Sequence, residues 1–291
     1  MKLSEVPRLW SGGLELAARR MVEGLRAGRH RSPSLGPAAE FHDHRAYMPG
    51  DDLRSVDWKA YARSDRLLLR RHREERDLPL VLLVDTSASM DFGTPTKRAW
   101  ATLAAATLAV LACDQGDRVR LVGGDAQVTS WHADASGPAG AARVCHALDQ
   151  LVPGARSDVA GMLMAVGARL ERRALVVLLS DLLCEPTSLG RACGALSARG
   201  HEIATIQIHD PAEAALPAAW GSCMLTDPEG VAVSRACDTS LIKAEYDVAW
   251  RRHLADLAMA LAASRVDLVS APTDRGVADV LGGWLHRRTK R

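Results

Sequence analysis

The sequence predicts an α/β fold: a doubly wound, mostly parallel sheet with an antiparallel edge strand, plus a smaller N-terminal segment carrying an amphipathic helix. Three observations lead there. Short runs of branched apolar residues, bounded by charged or turn residues, recur along the chain as buried strands do. Stretches of helical periodicity lie between most of them, and such alternation implies parallel strands joined by crossover helices. Gly123-Gly124-Asp125-Ala126 is too tight a link for a crossover, so the run after it is expected to return antiparallel at the sheet edge.

Taken in order, Ser11 to Gly28 carries Leu14, Ala17, Ala18, Met21, Val22 and Leu25 at helical spacing, with Arg19, Arg20, Glu23 and Arg26 opposite. That is an amphipathic helix closed by Gly28. His30 to Gly36 reads as a loop. Strands are expected at Leu80–Val84, Arg118–Val122, Val128–Trp131, Leu175–Leu179, Ile203–Ile208 and Val266–Val269. Helices are expected at Lys97–Cys113, Ala139–Leu151, Val159–Arg172, Leu189–Arg199 and Ser240–Ala263. Asp210 to Val233, punctuated by Pro and Gly, reads as a loop with short strands. Ala99 to Cys113 comes nearest to a membrane span but falls short of the roughly 20 apolar residues a bilayer needs. It reads instead as the buried first helix of the large domain.

The 291 residues suit one large domain with an appendage, divided here as 1–76 and 77–291. Apolar residues make up 47% but aromatics only 4%, so Ala, Leu and Val must do most of the packing. Six cysteines include no Cys-x-x-Cys pair; reduced thiols and a cytoplasmic compartment are expected. The N-terminus, MKLSEVPRLW, lacks the apolar stretch of a secretory signal. Basic clusters at Arg26 to Arg31 and Arg70-Arg71-His72-Arg73 raise a nucleic-acid reading. Glu74, Glu75 and Asp77 interrupt it, so a solvated or internally paired face is preferred.

The chemistry concentrates where the first strand of the large domain ends. Asp85 closes the run LVLLVD, and Ser87 and Ser89 follow at alternate positions. Loops at the carboxyl ends of strands are where open α/β sheets bind ligands. A second apolar run, ALVVLLS, ends in Asp181, and Ser157 or Asp158 opens the helix between the two runs. Asp85, Ser87, Ser89, Ser157 and Asp181 can therefore converge on one point as a cage of hard oxygen donors. Such donors suit Mg2+ or Mn2+ rather than zinc or copper. A capped strand-to-helix turn is the plain alternative for the Ser-rich loop.

The order Asp-x-Ser-x-Ser, a later hydroxyl, then Ser-Asp at a strand end resembles the metal-ion-dependent adhesion site of von Willebrand factor A domains. By position its roles fall on Asp85, Ser87, Ser89, Ser157 and Asp181, with Ser157 standing where the family usually has Thr. The run Tyr47-Met48-Pro49-Gly50-Asp51-Asp52-Leu53-Arg54-Ser55-Val56-Asp57-Trp58, with Ala62-Arg63 and Glu74-Glu75-Arg76-Asp77, resembles the bacterial DUF58 family. The likeness continues through Gly116-Asp117-Arg118-Val119, Asp210-Pro211-Ala212-Glu213, Leu216-Pro217 and Asp227-Pro228-Glu229. It implies a companion of MoxR-type AAA+ ATPases in chaperone-like maturation of an unidentified client protein. In A-type domains the ion keeps an open position that a carboxylate from a binding partner can fill.

An enzyme is not expected. Asp85-Thr86-Ser87 looks superficially like the start of a haloacid-dehalogenase phosphatase site, but Ser87 stands where that chemistry needs a second carboxylate as general acid. A metal-dependent phosphohydrolase is the alternative function. Asp51, Asp52 and Asp57 read as turn or ion-pair residues, and His42-Asp43-His44 as a surface loop rather than a metal site.

Overall fold

The computed structural model describes residues 13–29, 44–46, 68–70 and 78–289. The chain divides into two compact units, one of Met1–Ala27 with Leu78–Arg291 and one of Gly28–Asp77. The described part of the smaller unit is an antiparallel pair, β1 (His44–Ala46) and β2 (Leu68–Arg70). The expectations for His30–Gly36, His42-Asp43, and Pro49–Trp58 with Asp51, Asp52 and Asp57 lie outside the described residues.

In the larger unit, α1 (Leu14–Arg29) is followed by β3 (Leu80–Asp85), α2 (Lys97–Asp114), β4 (Val119–Gly124), β5 (Val128–Trp131) and α3 (Gly137–Asp149). Then come α4 (Val159–Arg169), β6 (Leu175–Ser180), α5 (Pro186–Ala198), β7 (Glu202–His209) and the single turn α6 (Pro211–Ala214). The last elements are β8 (Ser222–Leu225), β9 (Arg235–Asp238), α7 (Thr239–Ala262), β10 (Asp267–Pro272) and α8 (Val277–Thr289).

Six strands form one sheet in the order β10-β7-β6-β3-β4-β5. All neighbours run parallel except β5, which pairs antiparallel with β4 and places Trp131 opposite Val122. This is the expected doubly wound sheet with its antiparallel edge. Successive residues of β3 serve opposite faces. Leu80, Leu82 and Val84 pack with α1, α2, α3 and α8, while Val81 and Leu83 pack with α4, α5 and α7. Both faces are covered, which is why the central strands read as unbroken apolar runs rather than alternating ones.

The apolar stripe of α1 is buried as Leu14, Ala17, Ala18, Met21 and Val22, in the same core as α2. Helix α2 is buried from Trp100 to Cys113, and its Ala-rich surface lets the sheet and neighbouring helices approach closely. Thr96 caps it by accepting from the Ala99 N–H at 3.2 Å. Among the described residues no helix is long and apolar enough to cross a membrane.

The structure adds order where sequence patterning was thin. Asp210 to Val233 holds α6, a 3-10 turn at Ala218–Trp220 and β8, whose partner β9 begins just beyond it. The C-terminal helix α8 was not expected, because Gly276 precedes it and His286-Arg287-Arg288 ends it. Its apolar residues Val277, Leu281 and Trp284 stand at i, i+4 and i+7, one buried stripe. The Trp284 indole N–H donates to Asp267 Oδ2 at 3.4 Å. Trp284→Ala is expected to destabilise the protein by about 3–5 kcal/mol through the cavity it leaves, which a denaturant titration monitored by far-ultraviolet circular dichroism will measure.

Candidate metal centre

Parallel pairing puts the ends of β3 and β6 side by side, with Val84 opposite Leu179. The next residue of each strand, Asp85 and Ser180, therefore meet at the carboxyl edge. Ser180 Oγ donates to Asp85 Oδ2 at 2.7 Å, and both residues are fully buried. After β3 the chain turns into a short 3-10 segment, Ala88–Asp91, which folds the two hydroxyls back over the strand end. The Ser87 N–H donates to Asp85 Oδ1 at 2.9 Å, and Ser87 Oγ lies 3.1 Å from Ser89 Oγ.

The loop before α4 docks on this turn by its backbone. Gly154 N–H donates to Thr86 O at 2.7 Å, and Ala88 N–H to Ala155 O at 3.2 Å. That docking carries Ser157 to the site, where its Oγ donates to Asp85 Oδ2 at 3.1 Å. Asp158 points elsewhere: its Oδ1 accepts from Gly161 N–H at 2.9 Å and caps α4. Ser157, not Asp158, is the middle-loop residue that faces Asp85.

Asp181 is present at the same edge but is already engaged. Lys97 Nζ, at the start of α2, lies 2.8 Å from Asp181 Oδ2 and 2.5 Å from Glu213 Oε1 in α6. The other Asp181 oxygen, Oδ1, accepts from Leu183 N–H at 3.2 Å. Leu182, between Asp181 and that amide, has a φ of 55°, a left-handed conformation that a leucine rarely adopts. It is held there by full burial, by its N–H donating to Ser180 Oγ at 3.1 Å, and by its carbonyl 2.9 Å from His253 Nε2. Backbone strain of this kind persists where surrounding structure fixes it, and functional sites are a common place for it.

Charge separates the two aspartates. Burial, and after it the charge of Asp181, raises Asp85 above the usual carboxylate range; the Ser180 and Ser87 hydrogen bonds pull the other way and do not prevail. Burial works against the Lys97 ammonium, yet Asp181 and Glu213 overcome it and raise its pKa. Burial also raises Glu213, with Lys97 opposing. Asp181 and Glu213 thus share one ammonium, and none of the ion pairs among the described residues involves Asp85.

A third loop reaches the rim. Between β8 and β9, Asp227 accepts from the N–H groups of Glu229, Val231 and Ala232 at 2.9, 2.9 and 2.8 Å, forming a tight polar turn. From that turn Glu229 Oε2 accepts from Ser157 N–H at 3.1 Å.

The residues present fit a hard divalent cation. A buried carboxylate in no ion pair among the described residues accepts from the Ser157 and Ser180 hydroxyls, with those of Ser87 and Ser89 on the adjoining turn, and Mg2+ or Mn2+ takes such oxygens. Among the described residues no group of three or more His, Cys, Asp or Glu side chains is placed to hold a metal, so any ion here would depend on hydroxyls and water. Sequence reasoning overlooked Lys97, Ser180, Glu213 and Glu229. Lys97 carried one signal: a lysine in the first turn of a helix opposes the macrodipole and needs an anion nearby.

Comparison with known proteins adds a family and a fold. The family described as "Protein of unknown function DUF58" matches residues 43–256. An uncharacterized protein of Mycobacterium tuberculosis is 32% identical over 281 residues, which cover 94% of this chain and 88% of that one. Among solved structures, an aerotolerance-related membrane protein from Bacteroides fragilis superposes with a TM-score of 0.50 at 10% identity, covering 73% of this chain and 98% of that chain. This is a likeness of fold alone. The SpRpn10 VWA domain gives a TM-score of 0.41 at 14% identity, over 70% of this chain and 93% of that domain.

The raised pKa of Asp85 has a consequence for stability. A carboxyl whose folded pKa exceeds its unfolded value stabilises the fold below the unfolded value and loses that contribution as pH rises through the folded one. At neutral pH Asp85 therefore contributes less to the metal-free fold than it does in acid. Asp85→Asn is expected to raise the metal-free melting temperature at pH 7, and the advantage is expected to vanish below about pH 4, near the unfolded carboxyl pKa. Melting curves of parent and variant in chelator across that range check it.

Proposed function

The chain belongs to the DUF58 family, and from that membership and the oxygen cluster we propose a non-enzymatic, metal-dependent protein-binding module. In this reading it is an adaptor of a MoxR-type AAA+ ATPase in chaperone-like maturation of a client protein. The observation that supports it most directly is the buried Asp85 carboxylate, in no ion pair among the described residues, which accepts from the Ser157 and Ser180 hydroxyls and the Ser87 N–H, with Ser89 Oγ beside Ser87 Oγ. Those residues would hold Mg2+, with Asp181 contributing from beside Lys97. When bound, the ion supplies a positive charge that a carboxylate of the partner can meet.

The chain's own residues do the rest. Ser157 Oγ donates its proton to Asp85, which leaves its lone pairs available to a cation. Ser87 and Ser89 share one hydrogen bond, so both oxygens keep acceptor capacity. Haloacid-dehalogenase-type hydrolysis needs a second carboxylate beside the first as general acid, and the side chains hydrogen-bonded to Asp85 are serine hydroxyls. This favours binding over catalysis.

Two measurements test the reading. Mg2+ at about a hundred times its Kd should stabilise the protein by about 2.7 kcal/mol, seen as a higher melting temperature, and Asp85→Ala should abolish the increment. Equal shifts in parent and variant would place the ion elsewhere. Capture of the purified MoxR-type ATPase from the same organism should be strong in Mg2+ and weak in chelator or with Ser87→Ala. Capture indifferent to both would exclude a metal bridge.

A further inference from the structure

Strands β8 and β9 set Cys223 directly opposite Cys237. Opposed residues of an antiparallel ladder have Cα atoms about 4.5 or 5.5 Å apart, according to the class of pair. Both separations fall inside the roughly 4.4–6.8 Å range that a disulfide spans. Directly opposed side chains also share one face of the ribbon.

Exposure distinguishes this pair from the three core cysteines, and position in a ladder distinguishes it from Cys184. Cys223 and Cys237 are half-buried on a two-stranded ribbon, whereas Cys113, Cys145 and Cys193 are buried in the core. Burial pushes the thiols of Cys145, Cys184 and Cys193 up to about 12; burial, and after it Cys223, raises Cys237 as well. Cys223 and Cys237 alone among the six pair across a ladder.

We propose that Cys223 and Cys237 form a reversible dithiol–disulfide couple, oxidised by small-molecule disulfides. One protein thiol, as its thiolate, attacks a sulfur of the small disulfide. That bond breaks, one small thiol leaves, and a mixed disulfide remains on the protein. The second protein thiol loses its proton and attacks the protein-side sulfur, closing the Cys223–Cys237 bond and expelling the second small thiol. Two protein thiols are oxidised to one disulfide, and one small disulfide is reduced to two thiols.

The position of this bond gives it a consequence. It closes a loop over the chain between the two cysteines, which includes Asp227 and Glu229. Glu229 is the residue whose carboxylate reaches the Ser157 N–H at the candidate metal centre. Oxidation therefore staples the base of the ribbon that presents a carboxylate to that rim. Formation of the bond does not depend on whether a metal binds there.

The test uses the full chain under oxidised glutathione, followed by alkylation of free thiols, intact mass and peptide mapping. The expected result is a loss of the mass of two hydrogens, a mapped Cys223–Cys237 bridge, and full reversal by dithiothreitol. In Cys223→Ser, Cys237 should instead retain a glutathione adduct. Continued alkylation of both cysteines in the parent, a bridge mapped to other positions, or a glutathione adduct that never resolves in the parent would overturn the proposal.

Discussion

Lys97 is a fully buried cation in the first turn of a helix, and the carboxyl edge of the sheet is organised around what it touches. Burial opposes its charge, and so does the positive end of the α2 dipole. Such a group is tolerated only where carboxylates meet it at short range, and here Asp181 and Glu213 do so from separate elements. Glu213 is fixed in turn: its Oε2 accepts from Asp210 N–H at 2.9 Å, and Tyr246 donates to its carbonyl at 2.7 Å. Asp210 takes a further bond from Thr273 at 3.2 Å, just past the end of β10. One ammonium therefore ties the start of α2 to the ends of β6, β7 and β10. A buried ion pair is weak evidence for stability in itself, and its better-attested use is to impose a register among the parts it joins.

The large scale of this arrangement was legible in the residues. Apolar runs covered on both faces gave the central strands of the main sheet, and a four-residue Gly-rich link gave the antiparallel edge. Asp85, Ser87 and Ser89 were legible as candidates because they lie next to one another after a strand, where local sequence and local structure coincide. The choice between Ser157 and Asp158 was not, because both residues can cap a helix. The backbone bond from Gly154 to Thr86, made across the loops, turns one of them toward Asp85.

The pairing of Lys97 lay beyond sequence reading for a related reason. Its partners are 84 and 116 residues away, and the strand order decides which distant loops share an edge. The Asp210-Pro211-Ala212-Glu213 motif belonged to the family resemblance without a role; the structure supplies one, a capping box whose glutamate faces a buried lysine. Helix α8 shows the converse failure. Its stripe of Val277, Leu281 and Trp284 was present in the sequence, but the polar tail behind it masked the periodicity.

The lysine also bears on how the two aspartates divide their work. An ionised carboxylate offers about four lone-pair sites. Asp181 gives one to Lys97 and one to the Leu183 N–H, so the remainder can still receive a water bound to a cation. Asp85 has no ammonium of its own; its oxygens take two hydroxyl protons and one amide proton. The nearby charge of Asp181 raises Asp85 further, so the pair disfavours two ionised carboxylates unless cations answer both. Lys97 answers one of them permanently. What is left is a single, pre-positioned demand for positive charge at Asp85, on a rim where three loops already meet. Under the proposed metal-binding role, one carboxylate neutralised from within and the other left to an outside cation would make the site responsive to that cation, whereas two internal ion pairs would make it inert.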